Sequence, residues 1–228
     1  MKPELRRVGQ SATPILVIDE FRGGVDDVID MAAELAPFPD QPGNFYPGLR
    51  RVIEEVEGRA WNYVRQTLTD AAQFIGGAFN VRGFDLLEAS FSMVTTAASE
   101  LGPAQRSAHF DTTDPKIFAL LHYLNVPAGS GTAFYRQRTT DVEVVTELNV
   151  DTFVQVNRQE EAALPAGSGY LLGSDHRFEQ IGAVEALPDR MIIYPGCLLH
   201  SGIIPDGMNR SSNPREGRLT ANFFIRGY

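Results

Sequence analysis

The sequence holds little of what most often announces a function. It has one cysteine, Cys197, and four histidines among 228 residues. A lone cysteine makes no intramolecular disulfide, so nothing points to an oxidised, stapled scaffold. No stretch reaches the roughly eighteen apolar residues of a membrane span, and the opening MKPELRRVGQ lacks the apolar run of a secretory leader. Basic residues are outnumbered, 20 Lys and Arg against 29 Asp and Glu, for a formal charge of −9. A protein that tracks phosphates needs a basic stripe, and this balance argues against one. The expectation is a soluble, cytoplasmic protein with no nucleic-acid and no membrane partner. Oligomeric state is not legible.

What is present is the composition of a globular chain, 43% hydrophobic and 21% charged, sufficient to bury a core. Its length suits one domain over 1–228, with an N-terminal strand and supporting helices over 1–83 and a β-rich core over 84–228. ILVI at 15–18 reads as a strand, and 25–36 and 58–79 as amphipathic helices. From about residue 84 short apolar segments alternate with Gly and Pro turns. Strands are expected near 86–95, 106–111, 117–125, 132–138, 169–174, 178–186, 190–195, 198–203 and 219–226, the pattern of a sandwich or barrel. The segment 139–164 is ambiguous. The aromatic loop 38–46 and the polar loop 203–217 are candidate lids.

The chemistry concentrates in a few residues. In a strand, residues i and i+2 share a face, so AHFD at 108–111 projects His109 and Asp111 together. An imidazole and a carboxylate on one face are two ligands of a 2-His-1-carboxylate triad, which leaves open positions on the metal. A second histidine must come from elsewhere. His122 alternates with Tyr123 and points away, and His176 reads as a turn residue. His200, after the strand RMIIYPG, is the candidate. On the last strand Arg218 and Thr220 share a face. A guanidinium with a hydroxyl beside it is what the distal carboxylate of 2-oxoglutarate requires. Arg106 and Arg136 are further candidates to meet an acidic substrate.

These motifs, in this order, resemble the Fe(II)/2-oxoglutarate-dependent dioxygenase superfamily, in its prolyl-hydroxylase-like branch. PILVIDEF at 14–21, HFD at 109–111, FALLHYLN at 118–125, GSGTAFYR at 129–136, DRMIIYPGCLLHSG at 189–202 and GRLTANFFI at 217–225 carry the likeness. The resemblance implies a mostly β (α+β) chain, a double-stranded β-helix or jelly roll with flanking N-terminal helices. It implies Fe(II) on His109, Asp111 and His200, and 2-oxoglutarate as co-substrate on Arg218 and Thr220, with Tyr123 at its carboxylate. Phe91, Leu121 and Phe223 are candidate shields of the metal. Prolyl hydroxylases often carry a lysine where this chain has Arg218, so prolyl specificity is not implied. The expected reaction is hydroxylation of an amino acid, a peptidyl side chain or a small metabolite. A cupin-like metal-binding module, or a non-oxygenase metalloenzyme on the same fold, stays open beside it.

Overall fold

The computed structural model describes residues 1–39, 46–165 and 167–228. Its strands are β1 (Lys2–Val8), β2 (Thr13–Asp19), β3 (Gly48–Val52), β4 (Phe84–Val94), β5 (Ile117–Asn125), β6 (Gly131–Gln137), β7 (Phe178–Glu185), β8 (Met191–Pro195), β9 (His200–Ile203) and β10 (Leu219–Gly227). The helices are α1 (Asp26–Glu34), α2 (Gly58–Phe79) and α3 (Val150–Ala162). One sheet runs β1-β2-β8-β5-β10-β4-β3 and a second runs β7-β6-β9. All pairings of named strands are antiparallel. Two facing sheets wound in this order form the double-stranded β-helix.

The two-residue period of a strand sorts side chains between two cores. Along β10, Leu219, Ala221, Phe223 and Ile225 enter a core shared with the helices, while Phe224 packs between the sheets. On β2, Leu16 and Ile18 join the helix-side core, and Ile15 and Val17 the inter-sheet core. The helices cover the large sheet because they carry a matching stripe. Ala60, Tyr63, Val64, Thr67, Ala71 and Ile75 are the buried positions of α2, spaced at three and four residues. That helix stops at Asn80, a left-handed residue at φ 55, a conformation asparagine tolerates. On the far side of the small sheet, Tyr135, Phe178 and Leu199 pack with Phe153 of α3. The layers run helix, sheet, sheet, helix.

Several expected elements are different. Residues 106–111 are not a strand: a 3-10 turn spans Pro103–Arg106, and His109 makes an isolated bridge to His200. Residues 169–174 form no strand, and α3 occupies the later half of the ambiguous 139–164. β1 and β3, unforeseen, close the two edges of the large sheet. Among the described residues no helix is long and apolar enough to cross a membrane.

Candidate metal centre

His109, Asp111 and His200 converge although none lies inside a long strand. The bridge holds His109 against His200 through two backbone bonds of 2.9 Å, one in each direction. Two residues on, the Asp111 N–H donates to the Gly196 carbonyl at 2.7 Å. The H-x-D segment is thus laced to the corner between β8 and β9. The corner must be tight there, since a Cβ on Gly196 would lie 3.2 Å from Thr112 Cγ2 and 3.3 Å from Asp111 Cβ.

One ligand-type atom from each of the three residues falls within 4.8 Å of the others. His200 Nε2 stands 3.6 Å from Asp111 Oδ2, and the two imidazole rings are 4.4 Å apart, centroid to centroid. His200 Nδ1 is 2.8 Å from the Leu198 carbonyl. A carbonyl only accepts, so Nδ1 carries the proton and Nε2 is left with its lone pair facing Asp111. Tyr194 packs edge-on against the His200 ring at 4.8 Å.

His109 and Asp111 keep accessible surface while His200 is buried, so the centre is open on one side. Protein atoms around it still strip water from all three. That desolvation lowers His109 to about 4, helped by the neighbouring His200 and opposed by Asp111. It lowers His200 to about 4 against the Leu198 hydrogen bond. It raises Asp111 to about 6 against the pull of His109 and Arg50. At neutral pH the set is two neutral imidazoles and one carboxylate, a donor set that suits a divalent transition ion.

The inner face of β10 continues from this centre. Thr220 donates to Asn222 Oδ1 at 3.3 Å, and Asn222 Nδ2 to Ser92 Oγ at 2.6 Å. Arg218, 4% exposed, precedes them, and its Nε has no hydrogen-bond partner among the described residues. A buried, unanswered guanidinium nitrogen calls for an anion. Tyr46 lies beside it: burial raises this phenol, and hydrogen bonds and charge from Thr220 and Arg218 oppose the rise. Arg218 also acts on Tyr123 and Tyr170. Tyr123 pairs across β5 with Thr220, and its hydroxyl lies 2.7 Å from Thr132 Oγ1. Arg218, Thr220 and Tyr123 are therefore brought together.

The other candidates lie elsewhere. His122 sits in the helix-side layer between Tyr63 OH (2.8 Å) and Asp189 (3.0 Å), and His176 is an exposed turn residue. Arg106 is spent on the Leu101 and Pro165 carbonyls, and Arg136 on Glu179 and Glu143. Phe91 and Phe223 face the helices and cannot shield the centre, because their strands turn odd positions outward; Leu121 packs on the inter-sheet side. Residues 40–45 of the first candidate lid lie outside the described residues; Phe38 joins the helix-side core and Tyr46 the Arg218 cluster. In the second, Ile204 and Met208 pack with Val94, Tyr46 and Tyr170. Sequence reasoning missed Asn222, which the same i, i+2 rule finds after Thr220. It missed Arg50 because the edge strand β3 was not recognised, and it placed Tyr46 in a candidate lid rather than beside Arg218.

The chain matches the model of a Family of unknown function (DUF6445) over residues 1–225. It belongs to that family. No curated protein matches it. Solved structures of similar fold include HygX from Streptomyces hygroscopicus with nickel and 2-oxoglutarate bound, at 13% identity and TM-score 0.52, covering 95% of this chain and 84% of that one. A Pseudomonas putida prolyl-4-hydroxylase matches at 11% identity and TM-score 0.52, with 96% and 95% covered. SnoN, a non-haem alpha ketoglutarate dependent epimerase from nogalamycin biosynthesis, matches at 10% identity and TM-score 0.54, with 93% and 78% covered. The DUF6445 chain thus has the double-stranded β-helix fold found in 2-oxoglutarate oxygenases.

Proposed function

We propose that this protein is a non-haem Fe(II) and 2-oxoglutarate-dependent dioxygenase that hydroxylates an amino acid, a peptidyl side chain or a small metabolite. The observation that carries the reading is the convergence of His109, Asp111 and His200 within 4.8 Å. The orphaned Arg218 Nε in the same inter-sheet space supports it, as does the likeness in fold to HygX, whose crystals hold nickel and 2-oxoglutarate.

His109, Asp111 and His200 would hold the iron. Bound iron with 2-oxoglutarate supplies dioxygen activation coupled to oxidative decarboxylation of the co-substrate to succinate. The rest is the chain's own work. The Leu198 carbonyl fixes the His200 tautomer and aims Nε2. Asp111 presents a carboxylate at neutral pH because its pKa, though raised, stays near 6. Arg218, with its Nε unpartnered among the described residues, would receive the distal carboxylate of the co-substrate. Thr220 adds a hydroxyl, and Tyr123, steadied by Thr132, adds another. Leu121 and Phe224, packed on the inter-sheet core, keep water from the reacting end.

Anaerobic protein with Fe(II) and saturating 2-oxoglutarate should develop the weak visible charge-transfer band of a chelated co-substrate. Arg218→Ala should raise the 2-oxoglutarate concentration needed by on the order of a hundredfold, the scale of a lost buried charge pair. His109→Ala should lose the metal. A wild-type protein that binds iron but never gives the band would instead be a metal-binding module or a metalloenzyme of another class.

A further inference from the structure

One arginine near the candidate centre has no place in that reading. Arg50 sits on β3 opposite Ser92, and its guanidinium carbon lies 5.6 Å from the centroid of the Phe224 ring. Phe224 belongs to the inter-sheet side of β10, so Arg50 faces the small sheet rather than the helices. Its charge acts on Asp111 and also on Tyr46. Ser92, its partner across the strands, takes the hydrogen bond from Asn222, so Arg50 lies beside the residues that follow Arg218 on β10.

Three contacts hold the guanidinium. Nε donates to Ser90 Oγ at 3.0 Å, a terminal nitrogen donates to Glu88, and the cation rests against Phe224. Ser90 and Phe224 suffice to fix its orientation, which leaves Glu88 on the outer edge of the fork. Glu88 keeps 37% of its side-chain surface, and a pair exposed to that degree adds little to stability. It is a displaceable partner, and it marks the chemistry the guanidinium takes: a carboxylate, met here through one terminal nitrogen. Displacing Glu88 with a second carboxylate leaves two like charges side by side, a costly arrangement. An ammonium group next to the incoming carboxylate removes that cost by taking Glu88 as its own partner.

We infer that Arg50 and Glu88 together recognise the primary substrate, which is an α-amino acid: Arg50 binds its carboxylate and Glu88 its ammonium. This deepens the dioxygenase reading and rests on it.

The test is succinate formation above the substrate-free background, over the common amino acids, each compared with its carboxamide and its N-acetyl derivative. At least one free amino acid should stimulate about tenfold more than either derivative, the scale of one charged contact. R50Q should erase the preference over the carboxamide, and E88Q the preference over the N-acetyl form. R50K, which keeps the charge but not the fork, should sit between. Calorimetry on Ni(II)- and 2-oxoglutarate-loaded protein should rank binding in the same order. The Fe(II)·2-oxoglutarate band should be unchanged in all three variants. The inference is overturned if no free amino acid outdoes its derivatives, if R50Q and E88Q leave the preferences intact, or if a phosphate ester stimulates more than any amino acid. Loss of the band in R50Q reassigns Arg50 to the co-substrate and overturns it too. Absence of the band in wild type sinks the underlying reading instead.

Discussion

At the residue scale the candidate centre depends on a glycine that offers it no donor side chain. Gly196 accepts the Asp111 N–H, and its missing Cβ leaves room for the Asp111 and Thr112 side chains. Gly196→Ala forces those side chains outward by a few tenths of an ångström. We expect Ni(II) affinity to fall on the order of tenfold, the usual cost of disturbing a ligand's support, with little change in the far-UV spectrum. Unchanged affinity in a calorimetric titration would show that Asp111 has slack. The same residue sets a pH dependence. Asp111 is raised to about 6, so below that pH a metal must displace its proton, whereas His109 and His200, lowered to about 4, are already free. Affinity should hold from pH 8 to 7 and decline below about 6. A midpoint near 4 would shift the competition to the histidines.

At the element scale, β10 separates the helix-side core from the proposed co-substrate face by alternation. Phe223 is fully buried against the helices, and Thr220 and Asn222 line the other face. Phe223→Ala should cost about 3–5 kcal/mol by denaturant titration while leaving the 2-oxoglutarate affinity of the folded fraction intact. A change in affinity without loss of stability would mean that the faces are not independent. Legibility follows the same logic. α2 reads at its full length, 58–79, because a one-sided stripe persists over its whole course. The motif strands β5, β6, β8, β9 and β10 read within a residue or two. β1 is exposed, with charges along its sequence KPELRRV, and β3 is half-buried throughout. Edge strands need no apolar face, and they carry charge that blunts pairing with other chains, so neither shows the alternation that reveals a strand. Arg50 stayed hidden with β3. His109 and Asp111 were found by a strand rule applied to what is an isolated bridge. The two side chains still converge with His200, because backbone bonds to His200 and Gly196 hold the segment in place.

At the scale of the whole molecule, three of the four histidines are held as neutral bases by the protein around them, two buried and His109 partly open. His122 is lowered by burial, as are His109 and His200. A group whose folded pKa lies below its unfolded 6.5 favours the unfolded chain as it protonates. Stability should therefore fall as pH drops from about 6.5 towards 4. Asp111 opposes this between about 6 and its ordinary 3.8, because the folded state binds that proton more tightly. Asp189, held below its ordinary value by His122 and the Arg22 and Gly23 amides against its own burial, adds a further loss below 3.8. Three histidines outweigh one aspartate, so the melting temperature of the metal-free protein should decline through that window. A flat profile from 6.5 to 4 would contradict the burial of these rings. Divalent metal at about a hundred times its dissociation constant should restore about 2.7 kcal/mol near neutrality. Finally, the bridge between His109 and His200 ties two candidate ligands into the hydrogen-bond lattice of the small sheet rather than leaving them on a free loop. Their amide protons, with that of Asp111, should resist deuterium exchange in the empty protein almost as well as in the loaded one. Metal capture would then be fast and entropically cheap, a matter of a rigid cradle receiving an ion rather than of a chain folding around it.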